Sequence, residues 1–382
     1  MDENHTKDNY FRVYTQALAV RHALMVLGKE EDHEVEQAET RMAIVWPNLN
    51  EAQKKEASGI GSDLNWLERG YAHASKARRQ EDVTKEELDE YDKLLVASNT
   101  DKDKVLPLLH ALRACAAGLA IEAIAIVRAK CYSELGLDEI AEPYLAATIE
   151  LVHENSDACR ASFVMMIHVS ASGAFRKAAD ITNAPAKYPP VVVAYAFHYM
   201  SRFLGVEHTS QDLAVAELRK AEGRLDDEPT PEQDKISFYG LAGDLLVSFN
   251  HSDAIEYLEK GLKIAPNDTE MLGALGEYVY RIDREKAVEY FKRAILAKSK
   301  DVRPWLYMAN HFLMERDFER AQAYAAQAAD RAMDDYSLAS ALEVMAIGMS
   351  ESGAPAQIVY NLLQHAHQLA PANNRIAKNA DI

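Results

Sequence analysis

Any chemistry in this 382-residue chain has to come from a small set of side chains. The stretch GIGSDL at 59–64 carries the glycines of a phosphate-cradling loop, in which backbone N–H groups surround an anion. It lacks the Gly-Lys-Ser/Thr ending that supplies a cation and a hydroxyl, and no strand precedes it. It therefore reads as a turn followed by a helix whose N-cap is Ser62. His365 and His367 stand two apart, so on a helix they point in different directions, and neither has a carboxylate or thiol four residues on. With no HExxH and no clustered Cys/His set, no metal site is expected. Cys115, Cys131 and Cys159 show no CxxC spacing and no locally arranged histidine, and GxSxG is absent. Free buried thiols fit that pattern better than a nucleophile or a disulfide. These residues favour no catalytic function and imply no cofactor.

The elements that would position such side chains are helical almost throughout. At 48% hydrophobic, the chain can bury a large core in one or two domains. Only VVVAY at 191–195 is rich in β-formers, and it sits inside a helical run. YFRVYTQALAVRHALMVL at 10–27 spaces its apolar residues three and four apart and closes at Gly28. A second helix ends at Trp46-Pro47, and a third starts after the N-cap candidate Asn50. Polar, acidic residues 80–103 read as a hinge or an exposed helix before a long apolar helix at 105–131. Arg113 and Glu122 interrupt that apolar run, so it reads as a core helix and not a membrane span. Residues 188–203 concentrate Tyr188, Tyr195, Phe197, Tyr199 and Phe203, which suits a buried helix more than a docking face.

Net charge is −18, with acidic runs at 30–39, 81–92 and 225–234. This field repels nucleic-acid phosphates and anionic membranes and attracts basic partner surfaces. Much of the charge is solvated surface. Pro229 and Pro231 make 225–234 a loop between elements. The polar opening MDENHTKDNY does not have the form of a signal peptide, and with unpaired thiols this points to the cytoplasm.

A gapless pattern lies at 239–267, YGLAGDLLVSFNHSDAIEYLEKGLKIAPN. Small residues Ala242, Ala254 and Gly261 let two antiparallel helices approach; Leu245 and Leu258 fill the space between them, and Pro266 ends the second. Residues 269–301, 302–335 and 336–373 place Ala287, Ala321 and Val359 at the start of their second helices, and weaker copies upstream place Ala141, Ala178 and Ala214. The intervals between these seven positions run from 33 to 40. The order of small, large and proline resembles the tetratricopeptide repeat, a helix–turn–helix unit of about 34 residues.

That resemblance implies an all-α, right-handed α-solenoid of about seven hairpins preceded by an N-terminal helical segment. The division it suggests is a helical segment at 1–121, degenerate repeats at 122–234, well-matched repeats at 235–373 and a tail at 374–382. The N-terminal segment reads either as a cap on the array or as a separate module. By the same resemblance, first helices line a concave groove whose facing positions are Tyr239, Gly243, Gly273, Glu277, Tyr280, Leu306, Asn310 and Leu313. Domains of this family that clamp a chaperone's C-terminal carboxylates carry a Lys/Asn/Arg set there, and only Asn310 is in keeping. The expected function is a non-enzymatic scaffold that holds another protein or peptide, basic or amphipathic, with homo-oligomerisation left open. Its alternative is a ligand- or peptide-sensing regulator with residues 10–121 as output module. The first helices are acidic and include no basic recognition helix, so neither reading involves direct contact with nucleic acid.

Overall fold

The computed structural model describes residues 3–26, 31–68, 90, 93, 102–114, 121–151, 156–205, 209–225 and 230–380. Among them there are nineteen α-helices and no strand. Two compact units divide the chain, Met1–Tyr199 and Met200–Ile382.

In the first unit, α1 (Glu3–Val26) pairs with α2 (His33–Val45). Asp32 caps α2 by accepting from the Glu34 amide, and the 3-10 turn Trp46–Asn48 follows with Pro47 inside it. Tyr14 of α1 lies against Trp46, ring centroids 5.3 Å apart. The third helix, α3 (Glu51–Glu68), does begin after Asn50. There Asn50 and Gln53 exchange reciprocal side-chain-to-backbone hydrogen bonds, a capping box. It then runs unbroken through 59–64. Ser62 is therefore no N-cap; its hydroxyl donates back to the Ser58 carbonyl at 3.0 Å.

The apolar run expected as one helix over 105–131 forms two, α4 (Lys102–Ala114) and α5 (Ile121–Glu134), with 115–120 outside the described residues. Arg113 and Tyr132 share a 3.0 Å hydrogen bond although nineteen residues separate them. A continuous helix would hold them about 28 Å apart. The two helices therefore lie side by side. The hinge expected at 80–103 falls outside the described residues apart from Glu90, Lys93 and the start of α4, as do Gly28 and Cys115.

Gly136, at φ 72°, ends α5 in the left-handed conformation that only glycine adopts without penalty. Next come α6 (Asp138–Leu151), α7 (Ser156–Val169), α8 (Ala171–Asn183) and α9 (Pro190–Leu204), whose last turn belongs to the second unit. Both α1 and α3 pack on α6. Ala141 and Ala178 are fully buried, and so are Val192 to Ala194. In the aromatic-rich stretch, Tyr188 and Phe197 are buried and Tyr199 meets Phe163 edge-on, while Phe203 is exposed. Cys131 and Cys159 are buried and neither is in a disulfide, and burial pushes the Cys159 thiol up to about 12.

The second unit continues with α10 (Gln211–Arg224), α11 (Glu232–Ser248), α12 (Ala254–Ile264), α13 (Thr269–Tyr280), α14 (Arg284–Leu296), α15 (Val302–Met314), α16 (Phe318–Ala329), α17 (Asp335–Glu351), α18 (Ala356–Leu369) and α19 (Asn374–Ala380). From α11 to α18 the helices pair as hairpins, and α11, α13, α15 and α17 touch in succession. Asp268, Asp283, Asp301, Asp317 and Asp334 each cap the helix that follows, their carboxylates accepting backbone N–H bonds. The small residues sit where the repeat needs them. A Cβ added at Gly243 would meet Leu258 at 2.5 Å, and one at Gly276 would meet Phe291 at 2.4 Å. Ala242, Ala254, Ala287 and Ala321 are fully buried.

Residues 374–380, expected to lie in a tail, form α19. Its Ile376 joins Ala339, Ala366 and Ala370, and its Arg375 and Asn379 reach the buried Glu343 carboxylate of α17 at 2.5 and 2.7 Å. The local sequence gave no helical period long enough to reveal this helix.

Candidate functional site

Three first helices of the second unit converge on one guanidinium. Asp301 is the N-cap of α15; one oxygen accepts the Arg303 amide at 2.9 Å and the other accepts Arg303 Nε at 2.7 Å. A single aspartate thus starts the helix and aims the arginine. Arg303 Nη1 then pairs with Asp244 of α11 and lies 3.6 Å from Glu277 of α13. The approach of α15 to α13 depends on Gly273, where a Cβ would stand 3.0 Å from the Asp301 carboxylate. Tyr307, one turn along α15, lies within electrostatic reach of Glu277, and burial together with that carboxylate raises its pKa. Its ring stacks on Phe291 at 5.1 Å and meets Tyr280 edge-on at the same separation.

About a quarter of the Arg303 side chain is exposed, and so is that of Glu277, so the cluster is held but not sealed. Burial alone would lower the arginine's proton affinity; Asp244, Asp301 and Glu277 more than reverse this and hold it charged. Burial raises the Glu277 pKa, opposed by Arg303 and reinforced by Asp244. Burial also raises Glu270, with Asp268 and Asp301 adding to it. Asp244, Glu277 and Asp301 thus pair with Arg303, Glu270 acts on it at longer range and Arg281 acts on Glu277, so four carboxylates meet two cations and the excess is negative.

Of the groove positions expected from sequence, Gly273 and Glu277 belong to this cluster, and Tyr280 borders it through Tyr307. Tyr280 also reaches Met314 Sδ at 3.8 Å. Leu306 and Leu313 pack elsewhere, against Ala309, Ala325 and Val344. Asn310 donates to the Leu306 carbonyl of its own helix at 3.0 Å. Gly243 is buried against Leu258, and Tyr239 meets Tyr257, both within their own hairpin. Sequence reasoning did not reach Asp244, Asp301, Arg303 or Tyr307. Asp301 was detectable as a capping aspartate, but the pairing of residues 244 and 303 spans nearly two repeats and leaves no local trace.

A second polar cluster lies in the first unit. Arg113 binds Asp63 at 2.7 Å, Glu56 at 2.6 Å and the Tyr132 hydroxyl at 3.0 Å, and Tyr132 donates to Asp63. His110 Nε2 stands 2.8 Å from Glu56, and Arg128 Nη2 donates to the Leu112 carbonyl at 2.9 Å. Gly59 makes room for the guanidinium, since a Cβ there would fall 2.5 Å from Arg113 Nη1. The group is internally matched and ties α3, α4 and α5 together. Among the described residues, no three His, Cys, Asp or Glu are grouped to hold a metal, and no helix is long and apolar enough to cross a membrane.

These packing relations define the class: an all-α protein of tetratricopeptide-like helical hairpins. No protein-family profile and no curated protein matches the sequence. Solved structures that do match include the C-terminal part of a tetratricopeptide-repeat protein from Cytophaga hutchinsonii, at 17% identity and TM-score 0.34 over 77% of this chain and 100% of that one. The Cut9–Hcn1 hetero-tetramer of the APC/C matches at 15% identity and TM-score 0.43, over 100% of this chain and 72% of that one. The tetratricopeptide domain of P58(IPK) matches at 15% identity and TM-score 0.24, over 81% and 79%.

Proposed function

We propose that this chain is a non-catalytic cytoplasmic scaffold that holds a basic or amphipathic segment of another protein across the first helices α11, α13 and α15. The observation that supports this most is the Arg303 cluster, in which carboxylates from three successive first helices surround one partly exposed cation. A surface fixed by ion pairs before binding loses less freedom when a ligand arrives. Its excess of carboxylates suits lysine or arginine side chains, and the tyrosines at its edge offer apolar contact. Tyr239, Gly243, Leu306, Asn310 and Leu313 belong to the same expected groove, with packing as their first role. We assign residues 1–121 the part of a cap, because α1 and α3 pack on α6 in the manner of added layers.

The test is capture of partners from native lysate by the full-length protein at moderate salt, repeated with Glu270→Lys and with the pair Glu277→Lys and Asn310→Ala. Both variants should lose most of the partner while helical content is unchanged. Lys292→Glu on the opposite helix layer should retain it. Undiminished capture by both first-helix variants would place binding elsewhere.

A further inference from the structure

Asp268, Asp301 and Asp334, the caps of α13, α15 and α17, stand 33 residues apart, so the ninth residue after each cap takes the same place on its helix. Those residues are Glu277, Asn310 and Glu343. A second register accompanies them. Arg303 stands two residues after its cap Asp301, and Arg375 stands two after Asn373, whose side chain accepts the Arg375 amide at 3.1 Å. Each arginine turns to the carboxylate of the preceding first helix. Arg303 Nη1 lies 3.6 Å from Glu277, and Arg375 Nη2 lies 2.5 Å from Glu343. The terminal helix α19 therefore docks on α17 in the register by which α15 docks on α13. The two carboxylates differ in exposure. The Glu277 side chain is 24% exposed, whereas Glu343, gripped by Arg375 and Asn379, is wholly buried. The α19 sequence NRIAKNA carries two cations and no acid, and its buried residues Ile376 and Ala380 lie four apart on one side. Ile376 enters the cluster of Ala339, Ala366 and Ala370, and Ala380 that of Ala346 and Leu363.

We propose that the surface of α17 and α18 beneath α19 is a binding site for a basic amphipathic helix of a partner protein, and that α19 fills it as a displaceable internal ligand. The inference rests on the scaffold reading for the kind of partner and adds Glu343 to the residues that meet it. What the site accepts is shown by α19 itself. Glu343 takes a cation and an amide donor, Arg375 and Asn379. The alanine-lined surface takes one branched aliphatic side chain and a small one four residues later. An acidic or wholly apolar helix is refused, because it would bury the carboxylate without a donor. Displacement follows from length. At seven residues α19 makes about two turns, and a helix that short does not persist unless docked. Its docked state is thus open to local unfolding. A longer helix of the same pattern, already formed, loses less conformational freedom on entering the site.

The test uses the full chain and a labelled peptide, NRIAKNA extended with alanine and glutamine to roughly 15 residues so that it is helical before it binds. Arg375→Glu with Ile376→Asp evicts α19 from the site. Fluorescence anisotropy should show the peptide binding this variant at least about tenfold more tightly than wild type. A peptide with glutamate in place of its arginine should bind the variant at least about tenfold more weakly. Hydrogen exchange shows whether the last hairpin stays folded, with protection lost over α19 and kept over α17 and α18. Should that hairpin loosen as well, Glu343→Gln decides, since it keeps the shape and removes the charge. Its α19 amides should exchange at least about tenfold faster than those of wild type, with the other helices unchanged. The proposal is overturned by a folded variant that does not bind the peptide, or by binding indifferent to eviction or to the arginine. Unchanged α19 exchange in Glu343→Gln overturns it too. Undiminished capture by the Glu270 and Glu277 variants would end the scaffold reading without altering this result, which needs no partner from lysate.

Discussion

At Gly276, a methyl group would stand 2.4 Å from the Phe291 ring, which is fully buried and stacked on Tyr307. Intrinsic helix preference favours alanine over glycine by about 1 kcal/mol, but overpacking a rigid aromatic costs about 1–3 kcal/mol. Gly276→Ala should therefore destabilise by about 1 kcal/mol or more. Gly61, within α3, has nothing within 4 Å of its would-be Cβ, so Gly61→Ala should stabilise by about 0.5–1 kcal/mol. Urea midpoints of the two variants should move in opposite directions, and a shared direction would contradict the packing described. The small residues of the repeat were legible in the sequence because hairpin packing fixes their spacing within thirty-odd residues. The clusters at Arg303 and Arg113 were not, because Asp244 and Asp63 lie 59 and 50 residues away from them and ordinary spacing rules do not extend that far.

Between elements, charge pairs decide which helices are tied. Glu150 at the end of α6 binds Lys177 of α8, Lys187 of the following turn and, at 2.7 Å, the Tyr188 hydroxyl. Burial would raise its pKa, but these partners outweigh it and lower the carboxyl from its ordinary 4.5 to about 2. An acid held below its free value stabilises the fold fully above that value, and the contribution fades as pH falls from 4.5 towards 2. Since 40% of the side chain is exposed, solvent screening trims the effect. Glu150→Gln should lower stability at neutral pH, and the gap to wild type should close as denaturation is repeated towards pH 2. A gap independent of pH would mean that Glu150 acts by packing alone. The apolar run at 105–131 illustrates the limit of reading elements from hydropathy. Both α4 and α5 are apolar, so hydropathy alone does not mark where one helix gives way to the next.

On the scale of the whole chain, two compact units and nearest-neighbour packing along the repeats make a single cooperative transition unexpected. Calorimetric unfolding should give an enthalpy larger than the van't Hoff value, and Gly276→Ala should shift only part of the profile. Equal enthalpies and a uniform shift would show that the units unfold as one.

From the sequence alone followed the all-α class, the hairpin repeat of the C-terminal half, the capping of α3 by Asn50 and the acidic field. Each depends on side chains near one another along the chain, where helical period and turn chemistry act directly. Tertiary structure decided which of the positions expected from sequence to line a groove, Tyr239 to Leu313, face a shared cluster and which serve packing. It also assigned α19 to the core through Glu343. Those outcomes depend on which helix layer meets which, and the free energy of burying a side chain is set by its neighbours in space.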